Sequence, residues 1–266
     1  MSDAPSPPAP HTGSPTSGPP PAAPALRPRR AETVLGRLTR AVREQNWFAV
    51  ALELVIVVVG IVIGFQVTAW GQAQQARRVE TESLRALRAA LANDLEDVRS
   101  NAAYHGRFAA SAEMLQRHLA AGGPYADTLD VHFGRVMGVT YSVQDRTAYE
   151  TLKQRGLETI TDGALRAEVG RLYGVRYPTV VEFQDRTSSF VFDNVLPYYT
   201  AHFRDLVPTQ RATPVDYAAL AASTEYAVLV DWAAYLHPIL VASLLQLEED
   251  VVGLIALLDR ELGAAP

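Results

Sequence analysis

The chain has 266 residues, no cysteine and a formal net charge of −5. The absence of cysteine excludes disulfides, zinc sites built on thiolates and cysteine nucleophiles. The acidic balance disfavours nucleic acid as the main partner, because a nucleic-acid-binding surface needs an excess of positive charge. Lys153 is the only lysine among 24 basic residues, and alanine is abundant, a composition that suggests a GC-rich bacterial source.

Two segments are predicted before the first apolar run. Residues 1–31 are rich in proline and nearly free of large apolar side chains, which predicts a disordered tail. Such a tail can be a ligand for a proline-binding module, although its composition requires only solvation. Residues 32–46 place apolar side chains on one helical face and arginines elsewhere, which predicts an amphipathic juxtamembrane helix. The same pattern also fits a simple extension of the next helix.

Residues 47–70 are predicted as a transmembrane helix. The 22 residues between Trp47 and Trp70 are apolar apart from Glu53, Gln66 and a threonine. At the helical rise they cover about 33 Å, enough for a hydrocarbon core of about 30 Å. A tryptophan at each end is typical of an interfacial anchor. No small-residue cleavage site follows, so we expect a permanent anchor in a lipid bilayer rather than a signal peptide.

The distribution of arginine predicts the orientation of this anchor. Six arginines precede it and four follow it closely, and the positive-inside rule places the richer side in the cytoplasm. We therefore expect a bacterial inner-membrane protein with a cytoplasmic N-terminus and a periplasmic C-terminal domain. The ten arginines are Arg27, Arg29, Arg30, Arg37, Arg40 and Arg43 before the span, and Arg77, Arg78, Arg85 and Arg88 after it.

One face of the predicted span is suited to helix association. Glu53, Gly60, Gly64 and Gly71 fall within about 20° of a single helical line, counting 100° per residue. Gly60 and Gly64 form a small-xxx-small pair, which lets two backbones approach closely. This predicts a homo-oligomeric seam in which the carboxyl group is satisfied by a partner helix or buried as the neutral acid. Alternatively, the glycines are incidental and Glu53 lies near enough to the interface to reach water.

Residues 71–266 are predicted to be an all-α helical bundle that continues from the span, because no segment alternates with a period of two. The first helix is expected to run to about Ala121, and a second helix from Asp127 to Val139. A further helix should begin at Asp162 or its neighbour and end near Gly174. The first helix of the bundle carries an apolar stripe, with Asp94 off that stripe. The stripe consists of Leu84, Leu87, Leu91, Leu95 and Val98.

Three threonines are predicted to cap helices. Thr147 and Thr179 each precede a glutamate by three residues, which is the pattern of a capping box. Thr213 precedes a proline and, three residues later, an acid, which is typical of a helix start.

The last helix should begin near Ser223 and be kinked or divided by Pro238. Its apolar residues recur at four- and three-residue steps, which predicts a coiled-coil-like seam and a second route to a homo-oligomer. The stretch from Tyr226 to Leu245 is apolar but contains Asp231 and His237, so we interpret it as a core helix rather than a second span. The seam consists of Leu240, Leu244, Leu247, Val251, Leu254 and Leu258.

Motifs of catalysis are lacking in the sequence. There is no nucleophile elbow, P-loop, dinucleotide fingerprint or H-E-x-x-H motif, and the six histidines do not pair at metal-ligand spacing. We predict no catalytic residue, cofactor or metal. The aromatic and arginine-rich stretch from Tyr173 to Arg204 offers one alternative, a small-ligand pocket lined by tyrosines. Core packing is the simpler use of the same residues.

Two stretches together resemble a family of uncharacterised bacterial single-pass membrane proteins, known only as a domain of unknown function. The first is VGIVIGFQVTAW at residues 59–70, where Gly64 replaces the family's usual alanine and Thr68-Ala69 an asparagine pair. The second is TAYETLKQRGL at residues 147–157, with the shorter helix after it. The resemblance implies a membrane-anchored helical domain and transfers no catalytic residue. We therefore expect a non-enzymatic sensor, scaffold or partner-binding subunit, with the tethered ligand-binding domain as the alternative and an enzyme third.

Overall fold

The computed structural model describes residues 47–264, and these confirm the all-α prediction: they form helices and one two-stranded hairpin. The predicted tail and juxtamembrane helix, residues 1–31 and 32–46, lie outside the described residues. The α-helices are α1 (Trp47–Ala120), α2 (Asp130–Val136), α3 (Thr147–Arg155), α4 (Gly163–Arg171), α5 (Tyr177–Phe190), α6 (Leu196–His202), α7 (Tyr217–Ala221) and α8 (Thr224–Ala264).

The chain divides into two compact units, one ending at Gly64 and one beginning at Phe65. The described part of the first unit is the N-terminal part of α1 alone, a bare helix with exposed side chains. The second unit contains the rest of α1 and all other elements. Single 3₁₀ turns at Asp127–Leu129 and Leu157–Thr159 precede α2 and follow α3.

The second unit is built on α1 and α8, which run antiparallel. Arg88 contacts Asp259 at 3.0 Å and Arg99 contacts Glu248 at 2.6 Å, so a step of 11 residues along α1 matches 11 residues back along α8. Gln116 donates to Asp231 at 2.8 Å further along the same register. The two helices therefore stay in step over most of their shared length.

A buried stripe with heptad spacing follows each of these helices. The predicted seam of α8 is confirmed as a buried stripe, because all six of its residues are at most 3% exposed. It extends toward the N-terminus of α8 through His237, Ala233, Val230 and Tyr226, at the same alternating steps. The facing stripe of α1 comprises Leu84, Leu87, Leu91, Asp94, Val98, Asn101, His105, Phe108, Ala112 and Leu115, all buried.

Asp94 corrects one sequence assignment. We expected it off the apolar stripe, but it is 2% exposed. It lies three residues after Leu91 and four before Val98, which is the spacing of the core face. We placed Asp94 off the stripe because it is charged, although its spacing is that of a core residue. Leu95, which we placed on the stripe, is only partly buried.

Residues 163–202 form one continuous helical path, not the two helices predicted. Asp162 caps its start as expected, accepting from the N–H groups of Ala164 and Leu165. The predicted end near Gly174 is wrong, because Leu172–Arg176 is a π-helical turn that passes directly into α5. A second π-helical turn, Val191–Val195, passes into α6.

Each π-helical turn lies immediately before a proline. Pro178 and Pro197 both occupy the second residue of the α-helical stretch that follows the turn. Proline lacks an N–H and its ring crowds the preceding turn, so it disrupts regular α-helical bonding. The wider turn changes that bonding locally, as when the N–H of Tyr177 donates to the carbonyl of Leu172. The predicted cap at Thr179 is therefore wrong; its hydroxyl donates to the carbonyl of Val175 within the helix.

The other two predicted threonine caps are also wrong. Thr147 is the first residue of α3 and does not cap it. Its N–H donates to the carboxylate of Asp145, so the side chain of Asp145 stabilises the turn before the helix. Thr213 lies in strand β2 (Arg211–Pro214), which pairs antiparallel with β1 (Phe203–Val207). The true cap of α7 is Asp216, which accepts from the N–H of Ala219.

The ends of the remaining elements agree with the sequence to within a few residues. α1 ends at Ala120, one residue before the predicted end, and α8 begins at Thr224. The second helix is shorter than predicted, since α2 ends at Val136 rather than Val139. Pro238 does not divide α8, which is a single helix across that position.

Truncation of the buried seam should destabilise the second unit, whereas truncation beside it should not. Leu244 is fully buried and its neighbour Leu245 is 52% exposed. Leu244→Ala should lower the free energy of unfolding by about 2–5 kcal/mol through lost burial and a cavity. Leu245→Ala should change it by less than about 0.5 kcal/mol. Chemical unfolding of the detergent-solubilised protein, followed by circular dichroism, measures both, and equal effects would contradict the assignment of the seam.

Candidate functional site

The apolar segment of α1 is the most unusual surface among the described residues. Its best 18-residue window has a mean hydropathy of 2.8, and none of that window is buried. The second long apolar window, in α8, has a mean hydropathy of 1.7 and is 39% buried. α8 therefore belongs to the core, as expected, whereas the side chains of the α1 segment contact little of the chain itself.

The predicted interfacial and association residues are all exposed on α1. Trp47 and Trp70, the predicted membrane-interface anchors, are 71% and 68% exposed. Their Cα atoms are 23 residues apart, or about 35 Å along an α-helix.

The predicted association face divides between the two units, with Glu53, Gly60 and Gly64 in the first and Gly71 in the second. All four residues are exposed. A Cβ atom added at any of the three glycines would meet no heavy atom within 4 Å, so their surroundings leave room for a close partner.

A buried carboxylate forms the main polar cluster of the second unit. Asp94 accepts a hydrogen bond from the hydroxyl of Tyr177 at 2.6 Å and from the N–H of Asp145 at 2.9 Å. Burial raises the pKa of the Asp94 carboxyl, and the two hydrogen bonds act in the opposite direction. The cluster connects α1 to α5 and to the segment before α3.

The tyrosines of the predicted ligand-binding stretch are packed in two hydrophobic clusters. Tyr173 stacks on Tyr149 with ring centroids 4.1 Å apart and planes 2° apart. Tyr199 stacks on Phe203 at 4.1 Å, and its hydroxyl lies 3.1 Å from that of Tyr226. Burial raises the pKa of Tyr173 and Tyr199 far above the usual value, so both phenols stay protonated. Their rings are used in packing.

Two buried histidines meet across the seam between α1 and α8. The Nδ1 atoms of His105 and His237 are 3.0 Å apart, and the Phe108 ring packs at a steep angle against both imidazoles. The Nε2 atom of His105 lies 3.2 Å from the carbonyl oxygen of Thr140. Sequence spacing could not reveal this pair because its members are 132 residues apart.

The contacts of His105 allow two arrangements of protons in the pair, because its Nε2 lies 3.2 Å from both the carbonyl oxygen and the hydroxyl of Thr140. If that Nε2 carries the proton, it donates to the carbonyl, and the Nδ1 of His105 accepts from the Nδ1–H of His237. If it is bare, it accepts from the hydroxyl, and the Nδ1–H of His105 donates to His237. In both arrangements the Nε2 of His237 is buried with no partner among the described residues. Burial lowers the pKa of His105 and lowers that of His237 to about 3.

The polar clusters connect helices of the second unit to one another. Among residues 47–264, no three His, Cys, Asp or Glu side chains are grouped to hold a metal ion. The Asp94 carboxylate accepts from Tyr177 and from the backbone, and the two histidines bond to each other, although the Nε2 of His237 has no partner among the described residues. A serine and a histidine also meet, since the Oγ of Ser111 lies 3.1 Å from the Nδ1 of His132, but Ser111 is only 1% exposed. Sequence reasoning missed both clusters, although the heptad spacing of Asp94 and His105 was a usable signal for each.

Comparison with known proteins gives no match. No family model fits the chain, and neither a curated protein nor a solved structure is significantly similar to it. Geometry and composition therefore carry the functional argument.

The histidine pair should make stability depend on pH. His237 ionises near pH 6.5 when unfolded but near pH 3 when folded, so the unfolded state gains the proton first as pH falls. The contribution of His237 to the free energy of unfolding is therefore complete above pH 6.5 and is lost progressively towards pH 3. By pH 4.5 the free energy of unfolding should have fallen by about 3 kcal/mol, at 1.36 kcal/mol per pH unit.

The variant His237→Asn tests this pH dependence, because its amide can still form a hydrogen bond with His105 but cannot ionise. The difference in unfolding free energy between pH 7 and pH 4.5 should be smaller in this variant than in the wild-type protein. His202→Asn, at an exposed histidine, is the matched control and should keep the wild-type difference. An unchanged pH dependence in His237→Asn would contradict the assignment.

Proposed function

We propose that this protein is a single-pass, membrane-anchored helical protein whose bundle works by binding a partner, as a scaffold, sensor or subunit, rather than by catalysis. The observation that supports it best is the exposed apolar segment of α1. Soluble proteins rarely expose contiguous apolar patches beyond a few hundred Å². A helix apolar on every face, long enough to cross a hydrocarbon core, has the bilayer as its natural solvent.

Other features agree with this proposal. The two exposed tryptophans mark the ends of a segment of transmembrane length. The arginine bias supports an inner-membrane location with a cytoplasmic N-terminus and a periplasmic bundle. The resemblance to the uncharacterised single-pass family points to the same architecture. Asp94 pairs with Tyr177 and His105 with His237 inside the bundle, which supports a structural role for these four side chains.

We further propose that the span associates with a second copy through Gly60 and Gly64, where helix backbones can approach closely. The seam of α8 is buried within its own chain. Its heptad spacing, matched on α1, supports a coiled-coil-like pairing inside one chain. Association of two copies through α8 would have to use its outer face, where Trp232 and Tyr235 are exposed.

Charged substitutions in the segment test the anchor. Val58→Arg with Ile61→Arg should release the protein from carbonate-washed membranes, since each arginine near the bilayer centre costs about 2.5–3.5 kcal/mol. Val143→Arg is the control, because Val143 lies outside the segment and is 75% exposed. The protein with this substitution should stay membrane-bound. Reporter fusions after Pro266 then locate the C-terminus. Wild-type protein that washes off with carbonate would disprove the anchor.

Glycine substitutions test the association face. Gly60→Leu with Gly64→Leu should reduce self-association in a membrane reporter assay to the level of a monomeric span, because leucine side chains separate the backbones. Ile61→Leu with Ile63→Leu changes two residues on other faces and should keep the wild-type signal. Equal signals from both variants would exclude the glycine face as the seam.

A further inference from the structure

A groove of about 690 Å³ on the second unit carries charges of both signs a short distance after Trp70. One wall is the α1 helix, and the other includes Thr161 and the last turns of α8. The groove lies within one unit, and no function described so far uses it.

One face of α1 supplies the positive charge. Arg77, Arg78 and Arg85 line the groove together with Gln74 and Thr81. These positions are spaced by three, one, three and four residues, and so fall within an arc of about 100° on the helix. All three arginines are exposed. None of them forms an ion pair among the residues that the structure describes, whereas Arg88, just beyond the groove, is bonded to Asp259.

The groove also contains three carboxylates, of which one has a partner. Glu80 accepts hydrogen bonds from the N–H and the hydroxyl of Thr161. Glu82 on α1 and Glu261 on α8 line the groove without a hydrogen-bonded or ion-paired partner in the described part of the chain. Within residues 47–264, the groove therefore presents three guanidinium groups and two carboxylates that have no charged partner.

The end of the groove nearest Trp70 fits the polar layer of a membrane, whereas Glu261 lies further out, level with about residue 86 of α1, because Arg88 pairs with Asp259. Arg77 and Arg78 follow Trp70 by seven and eight residues, about 10–12 Å along the helix. The headgroup layer adds about 5–8 Å beyond the hydrocarbon core on each side, and arginine stems extend towards an interface. With Trp70 at the interface, these guanidinium groups reach the level of the lipid phosphates.

We propose that this groove binds the headgroup of a zwitterionic phospholipid that carries a primary amine, an inference that rests on the proposed membrane anchor. The arginines bind the phosphodiester, for which the planar guanidinium is well suited. Glu82 and Glu261 accept from the ammonium group. An anionic headgroup without an amine leaves both carboxylates unsatisfied and repelled, and a quaternary ammonium has no N–H to donate.

The test uses the full-length protein in non-ionic detergent and native mass spectrometry with dihexanoyl phosphatidylethanolamine, phosphatidylcholine and phosphatidylglycerol. The wild-type protein should bind the ethanolamine lipid about tenfold more tightly than either other lipid. Arg77→Gln with Arg78→Gln should weaken all three lipids about tenfold. Glu82→Gln with Glu261→Gln should remove the preference for ethanolamine and increase binding of the glycerol lipid.

Arg99→Gln with Arg107→Gln removes the same charge from the same helix outside the groove and should leave binding unchanged. Thermal unfolding without lipid checks that each exposed variant is folded. Equal binding of the three lipids by the wild-type protein, or equal losses in the groove and control variants, would overturn the proposal. Competition by inorganic phosphate as strong as by the ethanolamine lipid would also overturn it, since a free anion would then suffice.

Failure of the anchor and failure of the groove are distinguishable. The lipid titration is done in micelles, so it measures the headgroup site independently of membrane insertion. Carbonate extraction of the wild-type protein and of Arg77→Gln with Arg78→Gln reports on the anchor alone, and both should stay in the membrane.

Discussion

The antiparallel pairing of α1 and α8 is the interaction on which the second unit depends. Each helix carries a buried stripe at three- and four-residue steps, and this stripe would be exposed to water if either helix stood alone. The bonds from Arg88 to Asp259 and from Arg99 to Glu248 show the same register over that stripe. The shorter helices cover the paired stripes and complete two hydrophobic clusters, one near each end of the pair.

Polar residues on these stripes explain why one register is chosen. A purely apolar heptad stripe can slip by one repeat at little cost, whereas a buried polar residue must find its own partner. Asp94 finds Tyr177 on α5, and His105 finds His237 on α8. A slip of one heptad between α1 and α8 would separate His105 from His237 and leave the buried imidazole of His237 without its partner. The clusters thus lower the stability attainable by an apolar core while selecting a single alignment.

Periodicity predicted the long elements of this fold, and local capping rules failed to predict the short ones. The stripe of α8 and the end of α1 follow from hydrophobic spacing and glycines, which act over many residues. The threonine caps at Thr179 and Thr213 failed because a π-helical turn and a hairpin depend on packing rather than on four-residue patterns. The same limit applies to the polar clusters, since spacing reveals that Asp94 is buried but not that Tyr177 lies opposite.

The contrast between the two apolar helices shows what the structure adds to composition. Both α1 and α8 pass a test of length and hydropathy for a membrane span, so composition alone treats them alike. In α8, the polar residues inside the apolar run have partners within the chain, as Asp231 does with Gln116. In the α1 segment, the carboxyl of Glu53 lies on an exposed face beside glycines. A buried stripe makes α8 part of a core, whereas the apolar segment at the start of α1 has no buried residue, and the proposal that this segment lies in lipid rests on that difference.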